Sequence, residues 1–201
     1  MESKKLLVFS DTHGRITALK AVLNWAKNHV PPNDTICCTA FLGDGASDIG
    51  RAAEASGFYS NWKLVRGNND YESIMPDSAV FDFAEYRFFM CHGHRQGLHG
   101  GTHGLIAAGR SNNADVVLFG HTHVPFYKNA DGLLLINPGS VGSPRSRIGA
   151  TFAVIECTSL RSVHDRKDTM AVSQPPSCAD TLIKANFFGI DAQGKIEKVK
   201  L

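Results

Sequence analysis

The sequence predicts an α/β fold, on three observations. Apolar stretches at residues 6–9, 35–42 and 62–65 read as strands. A helical repeat of apolar residues separates the first two, and a short alanine-rich helix the next two. Each strand ends in a polar tip: Asp11-Thr12-His13, Gly43-Asp44 and Gly67-Asn68-Asn69-Asp70. Strand, polar tip, helix and strand in succession are the βαβ alternation of an α/β protein. Of 201 residues, 43% are hydrophobic, enough for one compact domain with a sizeable core.

Each element has its own signal. Leu6-Leu7-Val8-Phe9 is a continuous apolar run, the pattern of a buried strand. Ile16, Leu19, Val22, Leu23 and Ala26 recur at near-helical spacing, and Pro31-Pro32 stops that helix. The second strand covers 35–42, a helix follows at 48–55, and the third strand is 62–65. Beyond Asp70 the alternation changes. Residues 79–84 and 87–91 read as two strands joined by a turn around Glu85-Tyr86, the second ending in His92-Gly93-His94. A helix at 104–110 precedes a buried strand at 116–119, which ends in Gly120-His121-Thr122-His123. Further strands are expected at 133–136, before Asn137-Pro138-Gly139-Ser140, and at 150–156. The polar stretch 158–180, with Pro175-Pro176, reads as an exposed, mobile insertion. Residues 182–190 and 195–201 form a closing hairpin around Asp191-Ala192-Gln193-Gly194. With no internal repeat and no second core, residues 1–201 read as a single domain.

Composition narrows the function. A net charge of +2 with 20% charged residues argues against disorder and against stable electrostatic binding to nucleic acid. The five cysteines are odd in number and contain no CxxC pair, which argues against a disulfide framework or a thiolate zinc knuckle. Cys37, Cys38 and Cys91 read as small packing residues. No stretch is long and apolar enough for a signal core or a membrane helix, so a cytoplasmic location without membrane attachment is expected. Six of the nine histidines, His92, His94, His99, His103, His121 and His123, fall in one short window and point to histidine chemistry.

Five polar tips follow five apolar strands, and in open α/β sheets the loops at strand carboxyl ends converge on one crevice. Their side chains are Asp, His and Asn, with glycines that let backbone approach closely. Oxygen and imidazole without thiolate suit manganese, iron or zinc ions. Asp11 and His13 stand two residues apart, so an extended backbone would point both to one side as a chelating pair, and His121 and His123 share that spacing. Any one tip is equally well a turn in which Asp and Asn cap backbone groups. Five in order are not. His99 and His103 read as loop or helix-start residues, His29 and His164 as surface residues, and Arg145 and Arg147 as a solvated basic loop.

The ordered set DxH, GD, GNxD, HGH and GHTH resembles the calcineurin-like metallophosphoesterases. With the NPGS turn at Asn137 it is similar to their small bacterial and archaeal phosphodiesterase branch, over residues 4–156. The resemblance implies a four-layer α-β-β-α sandwich of two mostly mixed sheets. It also implies two divalent metal ions, manganese first, with iron, zinc, nickel or cobalt as alternatives. Asp11, His13 and His123 would hold one ion, Asn68, His92 and His121 the other, and Asp44 would bridge both. Cations ~3.5–4 Å apart repel, so a shared carboxylate and a shared hydroxide are needed between them. The hydroxide, formed because metal lowers water's pKa toward ~7, would attack phosphorus in line.

The implied function is a phosphodiesterase acting on a small phosphoester. Its alternatives are a non-catalytic scaffold like the retromer subunit of the same fold, and a phosphomonoesterase. Related small members also suggest self-association. One position departs from the wider family: Asn69 stands where many members carry histidine, and an amide cannot deliver a proton at neutral pH. Asn69 is therefore a candidate phosphate contact. His94, two residues from His92, is the candidate general acid, or else only a hydrogen-bond donor beside that ligand.

Overall fold

The computed structural model describes residues 3–28, 36–159 and 181–201. Residues 160–180 of the expected insertion, Pro31-Pro32, His29, His164 and Cys178 lie outside them. The elements run β1 (Ser3–Phe9), α1 (Ile16–Asn28), β2 (Ile36–Phe41), α2 (Ala46–Ser56), β3 (Asn61–Leu64), β4 (Ser78–Phe83) and β5 (Tyr86–Cys91). A single 3-10 turn (Leu98–Gly100) leads to α3 (His103–Ser111), β6 (Val116–Leu118), β7 (Pro125–Ala130) and β8 (Leu133–Pro138). The strands β9 (Ala150–Ser159), β10 (Thr181–Ile190) and β11 (Ile196–Val199) follow.

Two mixed sheets form. The first has the order β11-β10-β9-β1-β2-β3 and the second β4-β5-β6-β8-β7. The β1-β2-β3 and β5-β6-β8 groups are parallel, and antiparallel strands flank them. The unbroken apolar run of β1 reflects burial on both faces. Leu6 and Val8 pack between the sheets with Ala40, Phe88, Met90, Leu118 and Ile155. Leu7 and Phe9 face the other way, against Leu19, Val22, Leu23 and Ala26 of α1 and Ile49 and Ala52 of α2. On the far side, Leu105 of α3 packs on Phe89, Val117 and Leu135. These layers make the four-layer α-β-β-α sandwich, and each fully buried Phe or Leu in it contributes about 1.5–3 kcal/mol.

The closing hairpin extends the first sheet: β10 pairs with β9 from Thr181–Ser159 to Ile190–Ala150. Phe188 stacks on Phe152 at 5.3 Å, and Trp25 of α1 covers Phe188 at 4.6 Å. The edge strand β7 has no counterpart in the sequence reading. It opens on Pro125, which an edge or first strand position tolerates, and its middle residues are exposed. Burial pushes the thiol of Cys38 up to about 11 and those of Cys91 and Cys157 up to about 12, as inert packing residues require. Cys37 instead faces solvent, because β2 alternates at its first residues before becoming buried throughout.

Candidate metal centre

The carboxyl ends of the parallel strands of both sheets meet at one edge, and backbone hydrogen bonds stitch their loops together. Asp11 N–H donates to Gly43 O (2.9 Å), Gly120 N–H to His92 O (2.9 Å), and Val141 N–H to Ser10 O (3.1 Å). The loops pack so closely that a Cβ on Gly67 would lie 2.0 Å from Asp44 Oδ1, and one on Gly120 2.1 Å from Ser10 Oγ. Only glycine fits at 67, where the backbone nitrogen of Asp44 would also lie 2.6 Å from a Cβ, whereas at 120 the Ser10 hydroxyl would have to turn away.

Five residues proposed as ligands, Asp11, His13, Asp44, His121 and His123, have positive φ (44° to 67°), among eight such non-glycine residues described. Left-handed backbone costs L-residues about 1–3 kcal/mol each and is retained where surroundings over-determine it. This corrects the expected extended-strand geometry: Asp11 and His13 meet through successive left-handed turns. The same turns separate His121 from His123. The His123 ring lies 5.0 Å from His13, whereas His121 lies 5.1 Å from His92 and 6.2 Å from His94.

Asp11, His13, Asp44 and His123 each offer a ligand atom, all within 4.8 Å of one another. His123 Nε2 is 3.1 Å from Asp11 Oδ1 and 3.3 Å from His13 Nε2, and His13 Nε2 is 3.7 Å from Asp44 Oδ2. His92 extends the group, its Nε2 standing 3.5 Å from Asp44 Oδ2 and 3.9 Å from Asp11 Oδ1. Two of these rings are fixed from behind. His92 Nδ1–H donates to Leu42 O (2.7 Å) and His123 Nδ1–H to Ser143 O (2.5 Å), which turns each Nε2 lone pair toward the carboxylates. That is the arrangement of metal-binding histidines. Asp11 Oδ1 and His92 Nε2 are buried and form no hydrogen bond of good geometry, only the imidazole–carboxylate approaches just given. Buried polar atoms left unpaired are costly, and a divalent cation among them would satisfy both. An oxygen–imidazole donor set fits a first-row divalent ion.

Charge is balanced tightly. Burial works to raise Asp44, but His92 and two donations from Asn69 outweigh it and hold the carboxyl well below the usual carboxylate range. For His92, burial disfavours the proton while Asp44 and Asp11 favour it more, and its pKa rises. His123 rises likewise, with Asp11 outweighing burial. Burial and the neighbouring His92 lower both His94 and His121.

Asn69 sits on Asp44: its N–H donates to Oδ1 (2.8 Å) and its Nδ2 to Oδ2 (2.5 Å). Asn68 is exposed one residue earlier, so its peptide link to Asn69 abuts the Asp44 carboxylate. His94 is half-buried beside His92 (5.5 Å between rings). His99, Arg145 and Arg147 are exposed, and His103 is the exposed first residue of α3.

Four supporting residues escaped the sequence reading. Asp70 accepts from the N–H groups of Asp44 (2.7 Å), Gly45 (2.9 Å), Ala46 (2.8 Å) and Gly67 (2.8 Å), binding the β3 loop to the start of α2. Asp48 accepts from Thr12 Oγ1 (2.5 Å) and Gly14 N–H (2.9 Å) and so holds the loop that carries His13. Asn137 donates to Gly120 O (2.8 Å), and Ser140 Oγ to Asp11 O (2.8 Å). The only sequence signal for these is their place in or beside the polar tips.

The fold and the donor set define a four-layer sandwich with a carboxylate–histidine cluster able to hold a metal ion at its strand ends. The family model of the calcineurin-like phosphoesterase superfamily domain matches residues 5–160, and the chain belongs to that superfamily. It is 27% identical over 150 residues to the probable metallophosphoesterase YsnB of Bacillus subtilis (75% of this chain, 82% of that protein). It is 26% identical over 149 residues to the phosphodiesterase MJ0936 of Methanocaldococcus jannaschii (67% and 82%). To the phosphodiesterase YfcE of Escherichia coli it is 28% identical over 174 residues (76% and 87%). A predicted phosphoesterase from Streptococcus pneumoniae shares the fold with a TM-score of 0.69 at 21% identity, over 99% of this chain and 98% of that one. Vps29 of Entamoeba histolytica, in complex with Zn²⁺, shares it with a TM-score of 0.65 at 16% identity, over 98% of each chain.

Proposed function

We propose that the chain is a single-domain, dinuclear metal-dependent phosphodiesterase acting on small phosphoesters. The observation that carries this is that Asp11 Oδ1 and His92 Nε2 are buried without a hydrogen bond, at a cluster in which Asp11, His13, Asp44 and His123 bring ligand atoms within 4.8 Å of one another. Asp11, His13 and His123 would hold one divalent ion, manganese first, Asn68, His92 and His121 the other, and Asp44 would serve both. When bound, the ions supply Lewis acidity that activates water for in-line attack on phosphorus and neutralises the phosphoryl oxygens.

The chain's own residues prepare that site. The Leu42 and Ser143 carbonyls fix two imidazoles with Nε2 inward. Asn69 orients both oxygens of Asp44; a contact from its amide to substrate would require Nδ2 to leave that carboxylate. His13, Asn68 and Asn69 are exposed, so the phosphoryl group approaches from their side. The phosphodiesterase names of two relatives and the asparagine at 69 support a diester over a monoester.

A scaffold role is the second reading, favoured by the Vps29 likeness over nearly the whole chain. That protein was crystallised with Zn²⁺, so metal uptake alone does not separate the readings, whereas hydrolysis does. Metal-free protein given Mn²⁺ is expected to hydrolyse bis(p-nitrophenyl) phosphate faster than p-nitrophenyl phosphate. Preference for the monoester would make it a phosphomonoesterase. No metal-stimulated hydrolysis of either would leave the scaffold.

A further inference from the structure

We infer that Arg95, anchored on Asp77, is a positioning residue that holds His94 in the tautomer with its proton on Nδ1. Arg95 Nε–H donates to His94 Nε2 at 3.4 Å. A guanidinium has five donors and no acceptor, so the nitrogen facing it must be the unprotonated one. In a neutral imidazole the proton then sits on Nδ1. That atom is buried and without a hydrogen-bond partner, on a ring packed beside His92 and His121 (5.5 and 6.2 Å).

The arginine is held in turn. Its Nη1 pairs with Asp77 Oδ2 at 2.9 Å, and Asp77 Oδ1 accepts from Arg66 Nε at 2.8 Å. Arg66 N–H also donates to Pro76 O (3.0 Å), so the carboxylate is fixed on the segment it bridges from. Arg66 immediately precedes the Gly67–Asp70 loop, and Arg95 follows the His92–His94 loop. Asp77 therefore ties a loop of one sheet to a loop of the other, and His94 receives its orientation from that tie. The consequence is that His94 can donate from Nδ1 to a phosphoryl or leaving-group oxygen only once that buried atom is uncovered. Only this use rests on the phosphoesterase reading; the tautomer belongs to the metal-free chain.

The test is ¹⁵N-histidine NMR of metal-free protein, with two-bond ¹H–¹⁵N correlations separating protonated from bare ring nitrogens. In the wild type, His94 should show the form with protonated Nδ1 and bare Nε2 as the majority tautomer. Arg95→Met should shift the ratio toward the Nε2-protonated form that a free neutral imidazole favours, Arg95→Lys should retain part of the bias, and Asp77→Asn should weaken it. The His92 signal, set by Leu42 O, serves as the check that each variant is folded. A wild-type His94 protonated at Nε2, or an unchanged ratio in Arg95→Met, overturns the proposal. An unchanged ratio in Asp77→Asn overturns the anchoring by Asp77. Inactivity toward every phosphoester alongside the expected tautomer would count against the hydrolase and leave the positioning intact.

Discussion

Replacing Asp70 by alanine removes the acceptor of four backbone N–H groups at once. Two of them, on Asp44 and Gly67, belong to buried residues, and each donor left unpaired there costs about 1–3 kcal/mol. Those of Gly45 and Ala46 are half-buried and can turn to water. The expected loss is therefore about 2–6 kcal/mol. At a urea m-value of about 2 kcal/mol/M, the unfolding midpoint of the metal-free protein falls by about 1–3 M. Asp70→Asn keeps one acceptor oxygen and turns an amide toward the remaining donors, so its midpoint should lie between. Because Asp70 also holds the backbone of Asp44, Mn²⁺ affinity measured by calorimetry should drop about 10–100-fold in the alanine variant. A midpoint within about 0.3 M of wild type, on the same m-value, would refute the reasoning.

Asp48→Ala should lower stability by about 1–3 kcal/mol by freeing the Thr12 hydroxyl and Gly14 N–H, and weaken metal uptake through His13; unchanged metal titrations would assign Asp48 to folding alone. The raised pKa values of His92 and His123 set a pH dependence. In metal-free protein their contribution to stability is complete below the unfolded histidine value of about 6.5 and is lost as pH rises through the folded values. Metal binding requires bare nitrogens, so uptake should strengthen over that same rise and release protons, read by calorimetry in buffers of different ionisation enthalpy. Uptake independent of pH from about 5 to 8 would exclude these two histidines as ligands.

Much of the fold was legible because the central strands are buried on both faces. Leu6-Leu7-Val8-Phe9 and Val116-Val117-Leu118 announce themselves as unbroken apolar runs. The edge strand β7 was not, because Phe126-Tyr127-Lys128-Asn129 carries neither an unbroken apolar run nor clean alternation, and pairing with β8 alone makes it a strand. The candidate ligands stood out because several strands end in Asp, Asn or His. Their supports did not: Asp48 looks like any acid near a helix start, and Asp70 like any loop capping residue. Nor does spacing reveal left-handed turns: the two-residue interval predicts an extended strand, whereas Asp11, His13, His121 and His123 all have positive φ. The Arg66–Asp77–Arg95 tie joins positions that only the facing of two sheets brings together.

The most direct test of a two-ion phosphodiesterase is to add Mn²⁺ stepwise to metal-free protein while measuring bound metal and hydrolysis of bis(p-nitrophenyl) phosphate in the same samples. The predicted result is no hydrolysis without metal, a rate that saturates at about two bound ions per chain, and loss of both uptake and rate in Asp44→Asn. Saturation at one ion, or a full rate in metal-free protein, would contradict it.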